Sequence, residues 1–445
     1  MEFDPKTYLA YSTGDASCFG YTTARRRWPS ILTGVVEDLQ RSIADLKDGE
    51  KKIDGLRLVA EVQNLRDDVV RDCVVKPLSA KDDIATSYNE ELAQRSPLTW
   101  LNSPWMFTEC FMFNSVHWCE YDVFSRQKLD SFRSSRDLVL GLAARYQALV
   151  ESSQKADPQS LRASFMELSE ICLWGNVADL SLRPDMSNDE MQELQSACRT
   201  NEKLLCNDLA SVWALLQEKP EGKQKRVDIV LDNSGFELFG DLLLTGWLLS
   251  SCVVEKVVLH VKSIPWFVSD VMPVDFEALL GVLQHPRVFF EHGAAGTSPL
   301  SEKDIQSLRF LHKQWHAFVE EGRLEVQAYP FWTQPGTFWR MPSVASDLFE
   351  DLKQSRLVIF KGDLNYRKLV GDVAWDPTTP FQTALGPLGQ DSGVNILALR
   401  TCKADVIVGL DAGLDKKLRG DAAESRTWAW TGDYAVASFS AGTSS

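Results

Sequence analysis

The chain has 445 residues, of which 44% are apolar and 24% charged, and a formal net charge of −15. So long a chain exceeds what one compact core usually absorbs, which points to two lobes or one elaborated domain. The acidic balance excludes nonspecific binding to nucleic acid or to an acidic membrane, because both need an excess of Lys and Arg.

The opening residues, Met-Glu-Phe-Asp-Pro-Lys, show neither the basic-then-apolar order of a secretory leader nor the arginine bias of a transit peptide. The first half then reads as helical. From Trp28 to Leu46 the apolar residues Ile31, Leu32, Val35, Val36, Leu39, Ile43 and Leu46 recur at the three-and-four spacing of one helix face. Leu56 to Val70, Leu138 to Val150 and Leu161 to Leu173 repeat the pattern. Ser187-x-x-Glu190 has the form of a capping box opening a further helix, and Trp213, Leu215 and Leu216 close the last helix of this half. Around Glu218 to Arg226 the chain turns charged and gains Pro and Gly. That change sets the expected boundary between a helical lobe over 1–220 and an α/β core over 221–445.

Beyond it, β-like runs at Val227–Leu231, Lys256–Val261, Leu324–Tyr329, Leu357–Phe360, Ile396–Leu399 and Val406–Gly409 alternate with helical ones. The helical runs are Phe236–Leu249, Phe276–Leu283, Lys303–Glu320 and Ser346–Lys353. Such alternation implies an α/β fold with a mainly parallel sheet covered on both faces. The Ser/Gly-rich last six residues are expected to fray.

The longest apolar stretch, Leu242 to Val254, is too short to span a bilayer and contains Ser and Thr. No membrane partner is therefore expected; the expected compartment is the cytoplasm, with the nucleus also compatible. Nine cysteines lie between Cys18 and Cys402 with no Cys-x-x-Cys pair, which fits reduced, buried thiols. His312 and His316 lie four apart, but no Glu follows the first, so the pair reads as a plain helix face. No Gly-x-Ser-x-Gly elbow or Gly-x-x-x-x-Gly-Lys-Ser/Thr loop occurs, so water or a carboxylate is a better nucleophile than Ser or Cys.

The informative residues are the polar ones that follow the expected strands. Asp232, Asn233 and, one turn into the next helix, Glu237 follow the first; Lys262 through Asp270 follow the second. The Leu357–Phe360 strand runs into Lys361-Gly-Asp-Leu-Asn-Tyr-Arg367, and the Ile396–Leu399 strand into Arg400-Thr-Cys-Lys403. Parallel strands would gather these ends on one edge of the sheet, where open α/β folds bind their ligands. Asp232, Asn233 and Asp270 then offer hard oxygens for a divalent cation. Lys361, Arg367, Arg400 and Lys403 offer charge for a phosphate. A metal beside a phosphate clamp is the chemistry of phosphoryl transfer or phosphomonoester hydrolysis.

Each segment also has an ordinary structural reading. Asp232-Asn-Ser-Gly235 can cap the following helix, Asp270 can cap a turn before Pro273, and Glu237 can simply complement a helix dipole. Asp363-Leu-Asn365 can be an Asx-turn, and Arg400 and Lys403 can be solvated charges.

These segments resemble the damage-control phosphatase family, and the Arg-Thr-x-Lys form at 400–403 is similar to its third subfamily. Arg27-Trp-Pro29, Pro104-Trp-Met-Phe-Thr-Glu-Cys110 and Leu173-Trp-Gly-Asn-Val-Ala-Asp-Leu180 extend the resemblance through the N-terminal half. It implies a three-layer α/β/α sandwich with a helical N-terminal lobe. The implied activity is hydrolysis of small phosphorylated metabolites, such as fructose 1-phosphate and fructose 6-phosphate, with Mn²⁺, Co²⁺, Ni²⁺ or Mg²⁺. The implied metal ligands and catalytic residues are Asp232, Asn233 and Asp270. The implied substrate contacts are Asp232, Asn233, Glu237, Asp363, Leu364, Asn365, Tyr366, Arg367 and Lys403. Ser234 departs mildly from relatives that carry Ala. Water and Asp232 both stand as nucleophiles at this point.

Two rivals remain. The subfamily's older naming suggests methyl transfer from S-adenosylmethionine to protein glutamates, although the turn after the first strand carries one glycine, Gly235, rather than a glycine-rich loop. The other is a non-catalytic metabolite-binding protein. Oligomeric state leaves no mark in the sequence.

Overall fold

The structure, a computed structural model, describes residues 8–47, 49–79, 82–95, 97–115, 121, 123–153, 155–175, 203–218, 222–291, 298–420 and 426–443. The helix expected from Ser187 lies outside the described residues.

Helices α1 (Trp28–Ala44) and α2 (Glu50–Val70) pack together. Trp28, Leu32, Val35, Leu39 and Ile43 of α1 form its buried stripe. With α3 (Asp83–Arg95) and α4 (Trp105–Asn114) they enclose an aromatic cluster that also takes in Trp266, Leu364 and Ala404 from the C-terminal half. Helix α5 (Ser125–Ser134) leads to α6 (Arg136–Ser153) and α7 (Pro158–Trp174), the latter capped by the Asp157 carboxylate, which accepts from Gln159 N at 2.8 Å and Ser160 N at 3.0 Å.

The rest builds the sheet and its covers: β1 (Leu204–Asn207), α8 (Leu209–Gln217), β2 (Gln224–Val230), α9 (Phe236–Ser250), β3 (Lys256–Val261), α10 (Pro273–Gln284) and α11 (Glu302–Glu320). Next come β4 (Leu324–Ala328), α12 (Ser346–Lys353), β5 (Ser355–Lys361), α13 (Gly362–Val370), β6 (Ile396–Thr401) and β7 (Ala435–Ser440). The strand order is β1-β7-β6-β5-β2-β3-β4. Strands β2 to β6 run parallel, β7 runs antiparallel to β6, and β1 is parallel to β7.

Successive strand residues point to opposite faces, and both faces are buried. Val227, Ile229, Val257, Leu259, Leu357 and Ile359 join the core with α6 to α11; Val230, Val358, Phe360, Ile396 and Ala398 join the core with α12, α13 and residues 331–345. The architecture is thus the three-layer α/β/α sandwich with a mainly parallel sheet, and near-continuous apolar strands are what a doubly covered parallel sheet demands. The first of these cores runs from Phe132 through Trp213 into the sheet without a break at residue 220. Helices α6 to α8 therefore cover the sheet, while α1 to α4 surround a cluster of their own.

Three expectations need correction. Val406–Gly409 is not a strand: it is buried coil, with Val408 N donating to the Tyr366 hydroxyl at 3.2 Å. A short apolar run cannot by itself distinguish a strand from buried coil. The helical half also contributes a strand, β1, and Ser440, expected in a frayed tail, closes β7. Among the described residues no helix is long and apolar enough to cross a membrane.

Strand β2 sits between β3 and β5, and the chain leaves β2 toward one edge of the sheet and later leaves β5 toward the other. The carboxyl ends of β2 and β5 therefore form the topological switch point of the parallel sheet.

Candidate active site

Asp232 and Asn233 leave the end of β2, and the loop after β3 folds back on them. Asn233 and Asp270 form an isolated antiparallel bridge, Val271 N donates to Asp232 O at 2.8 Å and Ser234 N to Ser269 O at 2.7 Å. These backbone bonds bring residues 232, 233 and 270 together despite their separation in sequence. The capping reading of Asp232 to Ser234 fails: the residue preceding α9 is Gly235, at φ +70°, and no side chain caps that helix. Asp270 caps nothing either, since the Met272 N–H that opens α10 donates to Asp275 at 2.8 Å.

Asp232, Asn233, Asp270, Asp363, Leu364, Arg367 and Lys403 line one cleft. At its floor, Gly362 joins β5 to α13 at φ +83°, and a Cβ there would collide with the Asp232 carboxylate. Only glycine permits both the conformation and the approach.

Asp232 and Asp270 are 6% and 1% exposed. Burial, and then repulsion from Glu237 and Asp270, push Asp232 well above the usual carboxylate range, against the pull of Lys403 and Lys262. Burial pushes Asp270 up to about 6, opposed chiefly by Lys262. The Lys262 ammonium lies 3.3 Å from Asp270 Oδ2, close enough for an ion contact, yet that oxygen receives no hydrogen bond. Crowded, buried carboxylates, one of them with an oxygen that receives no hydrogen bond, are what a hard cation would stabilise. Among the described residues no cluster of three or more His, Cys, Asp or Glu is arranged around a common point. The groups here that could offer oxygen to a hard cation are two carboxylates and the Asn233 amide oxygen.

The cations divide into two groups. Lys403 and Arg367 reach the cleft. Asp363 accepts from Lys403 N at 3.0 Å and from Arg400 Nε at 2.7 Å, so it holds the 400–403 turn in place and forms no Asx-turn. Arg367 is gripped by Asp372 through two bonds of 2.9 Å, touches Glu109 at 3.3 Å and stacks 3.8 Å over Trp105. Lys361 and Arg400 do not line the cleft, contrary to the expected clamp. Both are fully buried: Lys361 Nζ meets Asp241 at 2.6 Å and Glu237 at 2.9 Å, and Arg400 donates to Asp363 and to the carbonyls of Val406 and Ala404.

Three expected substrate contacts stand behind the lining. Glu237 faces Lys361 and Asn233; the Asn365 amide donates to the carbonyls of Leu231 and Lys361, tying β2 to β5; Tyr366 stacks on Phe381. Helical geometry accounts for the split, since residues 363 and 367 lie four apart on one face of α13 while 365 and 366 turn to the other side.

The rest of the wall comes from the N-terminal helices and the 263–269 loop. Arg27, which precedes α1, Ile31 of α1, and Trp105, Glu109 and Phe113 of α4 line the cleft together with Phe267 and Val268. Phe267 stacks on Phe113 with ring centroids 4.8 Å apart. Phe267 and Val268 adopt φ of 44° and 70°, strain that tends to collect at functional sites. Nothing in the local sequence announced Ile31, Phe113 or that backbone. Arg27 and Trp105 were visible only as part of the family resemblance.

Residues 23–418 match the family described as damage-control phosphatase ARMT1-like domain. Damage-control phosphatase ARMT1 of Mus musculus is 34% identical, over 96% of this chain and 97% of that protein, and its counterpart in Danio rerio is 33% identical, over 95% and 94%. A crystal structure of a DUF89 family protein from Pyrococcus horikoshii aligns over 92% of this chain and 97% of that one, at 13% identity and a TM-score of 0.39. With a family match spanning most of the chain and relatives similar from end to end, the chain belongs to the damage-control phosphatase ARMT1-like domain family.

Proposed function

We propose that the chain hydrolyses phosphomonoesters of small metabolites in a metal-dependent reaction, with sugar phosphates such as fructose 1-phosphate and fructose 6-phosphate as the substrates to test first. The observation that carries this reading is the meeting of Asp232, Asn233 and Asp270 with Arg367 and Lys403 in one cleft at the switch point of the sheet. Asp232, Asn233 and Asp270 would hold the cation, which when bound supplies Lewis-acid polarisation and neutralises phosphate charge.

The chain's own residues do the remaining work. Lys403 and Arg367 give charge-assisted hydrogen bonds to phosphate oxygens. Asp363 anchors the Lys403 backbone and the Arg400 guanidinium through one carboxylate oxygen and so positions Lys403, while the residue itself also lines the cleft. Trp105, Phe113, Phe267 and Val268 form an apolar wall that lowers the local dielectric and strengthens every charge interaction within. Water, or the Asp232 carboxylate, supplies the attacking oxygen. The cytoplasm is the proposed compartment.

Assaying a panel of phosphorylated metabolites with Mn²⁺, with and without EDTA, tests the reading. Phosphate release that vanishes on chelation is expected. Metal-independent methyl transfer from S-adenosylmethionine, with no phosphate release, would overturn it in favour of the methyltransferase rival.

A further inference from the structure

Resting on the phosphatase reading just given, we infer that Arg27 is a specificity-determining residue that binds the hydroxyls of the sugar rather than the reacting phosphate. The groups suited to that phosphate come from the carboxyl edge of the sheet: Asp232, Asn233 and Asp270, with Lys403 after β6 and Arg367 on α13. An ester held there must extend its other end toward the wall supplied by the helical half, where Arg27 stands with Ile31, Trp105 and Phe113. Among the described residues, Arg27 is the one basic residue that this half adds to the cleft lining.

The backbone is built to aim this side chain. Residues Thr23–Arg27 form a π-helical turn, closed by Trp28 N donating to Thr23 O, and α1 follows directly. Pro29, in the first turn of α1, has no N–H for an ordinary helical bond back to Arg25, so the ladder is interrupted here. A π turn changes the rotation between the residues before and after it, and such turns collect at functional sites. Three successive arginines separate across it. Arg25 donates to the carbonyls of Thr13 at 2.6 Å, Tyr21 at 3.2 Å and Leu101 at 3.3 Å, and stacks 3.6 Å over the Tyr21 ring. Arg26 is exposed, whereas Arg27 is half-buried in the cleft lining, one turn before Ile31 on the same face. The next residue fixes its base: Trp28 Nε1 donates to Glu109 Oε1 at 3.0 Å, and Glu109 Oε2 meets Arg367 at 3.3 Å.

A guanidinium presents a planar fork of donors, which matches a pair of oxygens. Adjacent sugar hydroxyls offer such a pair, and the apolar surfaces of Ile31 and Phe113 suit the C–H face of the same molecule. The lining carries four acidic residues against three basic ones, a balance with no surplus for a second anionic group, so neutral hydroxyls are the fitting partner.

Steady-state kinetics of Arg27→Met with saturating Mn²⁺, on fructose 6-phosphate and on phenyl phosphate, test the inference, because the phenyl leaving group has no hydroxyl. Hydrogen bonds from a charged donor are worth about 10–100-fold in affinity, so KM for fructose 6-phosphate should rise by that factor while kcat/KM for phenyl phosphate stays near its wild-type value. Equal losses on both esters would overturn the inference and move Arg27 to the phosphate. An unchanged KM for fructose 6-phosphate would overturn it as well. Should Arg27→Met fail to fold, Arg27→Lys keeps the charge and the aliphatic stem but removes the fork, and the same selective loss on fructose 6-phosphate is expected. Wild-type protein that hydrolyses phenyl phosphate but no sugar phosphate would overturn the inference alone; wild-type protein that hydrolyses neither would overturn the phosphatase reading on which it rests.

Discussion

Lys403 and Asp270 illustrate how one residue's surroundings decide its role. A lysine at the end of a strand is ordinarily a solvated charge, but Lys403 is buried in the cleft and held by Asp363 through its backbone. Losing a charge-assisted phosphate contact costs about 2 kcal/mol, so Lys403→Ala should lower kcat/KM at least roughly 30-fold at that energy; an unchanged value in steady-state assays would place the ammonium outside the pocket. Asp270→Asn should abolish metal-stimulated hydrolysis in a protein that remains folded by circular dichroism.

Lys368 poses a different question. Burial lowers its ammonium to about 8, even though it donates to the Gln334 carbonyl at 2.7 Å. Its folded value lies below the ordinary one, so the group costs stability below about pH 8 and that cost disappears as pH rises toward 10.5. Urea melts at pH 7.5 and 10 should show wild type gaining roughly 2 kcal/mol relative to Lys368→Met; parallel pH dependence in the two proteins would refute it.

At the scale of elements, the junction of β5 and α13 carries the site. Gly362 permits the turn, and α13 then aims Asp363, Leu364 and Arg367 into the cleft. Gly362→Ala should destabilise the fold by about 1–3 kcal/mol through strain at positive φ, and should weaken Mn²⁺ binding because the new methyl group displaces Asp232. A thermal melt and a Mn²⁺ titration check both, and a variant with wild-type values in each would show that the junction tolerates a side chain. The elements with long periodic patterns were legible: α1, α2, α6, α7 and α11 follow the apolar spacing in the sequence. Helix α4 was not, because Trp105 through Phe113 is buried all round and shows no polar face to reveal a period. Strand β1 was hidden for a related reason, being a short edge strand with incomplete burial.

Across the whole molecule, the metal should act as a staple between β2 and the loop after β3. Ligand held at about 100 times its dissociation constant contributes roughly 2.7 kcal/mol to folding. Mn²⁺ should therefore raise the thermal midpoint of the wild type and leave Asp270→Asn unmoved; an equal rise in both would place the bound ion elsewhere. The architecture also explains why the helical half belongs to the site. Helices α1 and α4 share a core with Trp266 and Leu364, and so they bring Arg27, Trp105 and Glu109 to the cleft wall.

The sequence by itself determined an α/β fold with a mainly parallel sheet covered on both faces and the set of oxygens and cations expected at the strand ends, because periodicity and residue chemistry are local properties. Only the tertiary structure decided which of those groups face the cleft. Lys361 and Arg400 carry the same charge as Lys403 and Arg367, but position divides them: the first two are enclosed with Glu237, Asp241 and Asp363 away from the cleft, whereas Lys403 and Arg367, the latter although paired with Asp372 and Glu109, line it. The contacts of the Asn233 amide were likewise invisible in the chain, since its NH₂ group meets Asp232 and a carboxylate four residues on while its oxygen meets Ser269 from the loop after β3.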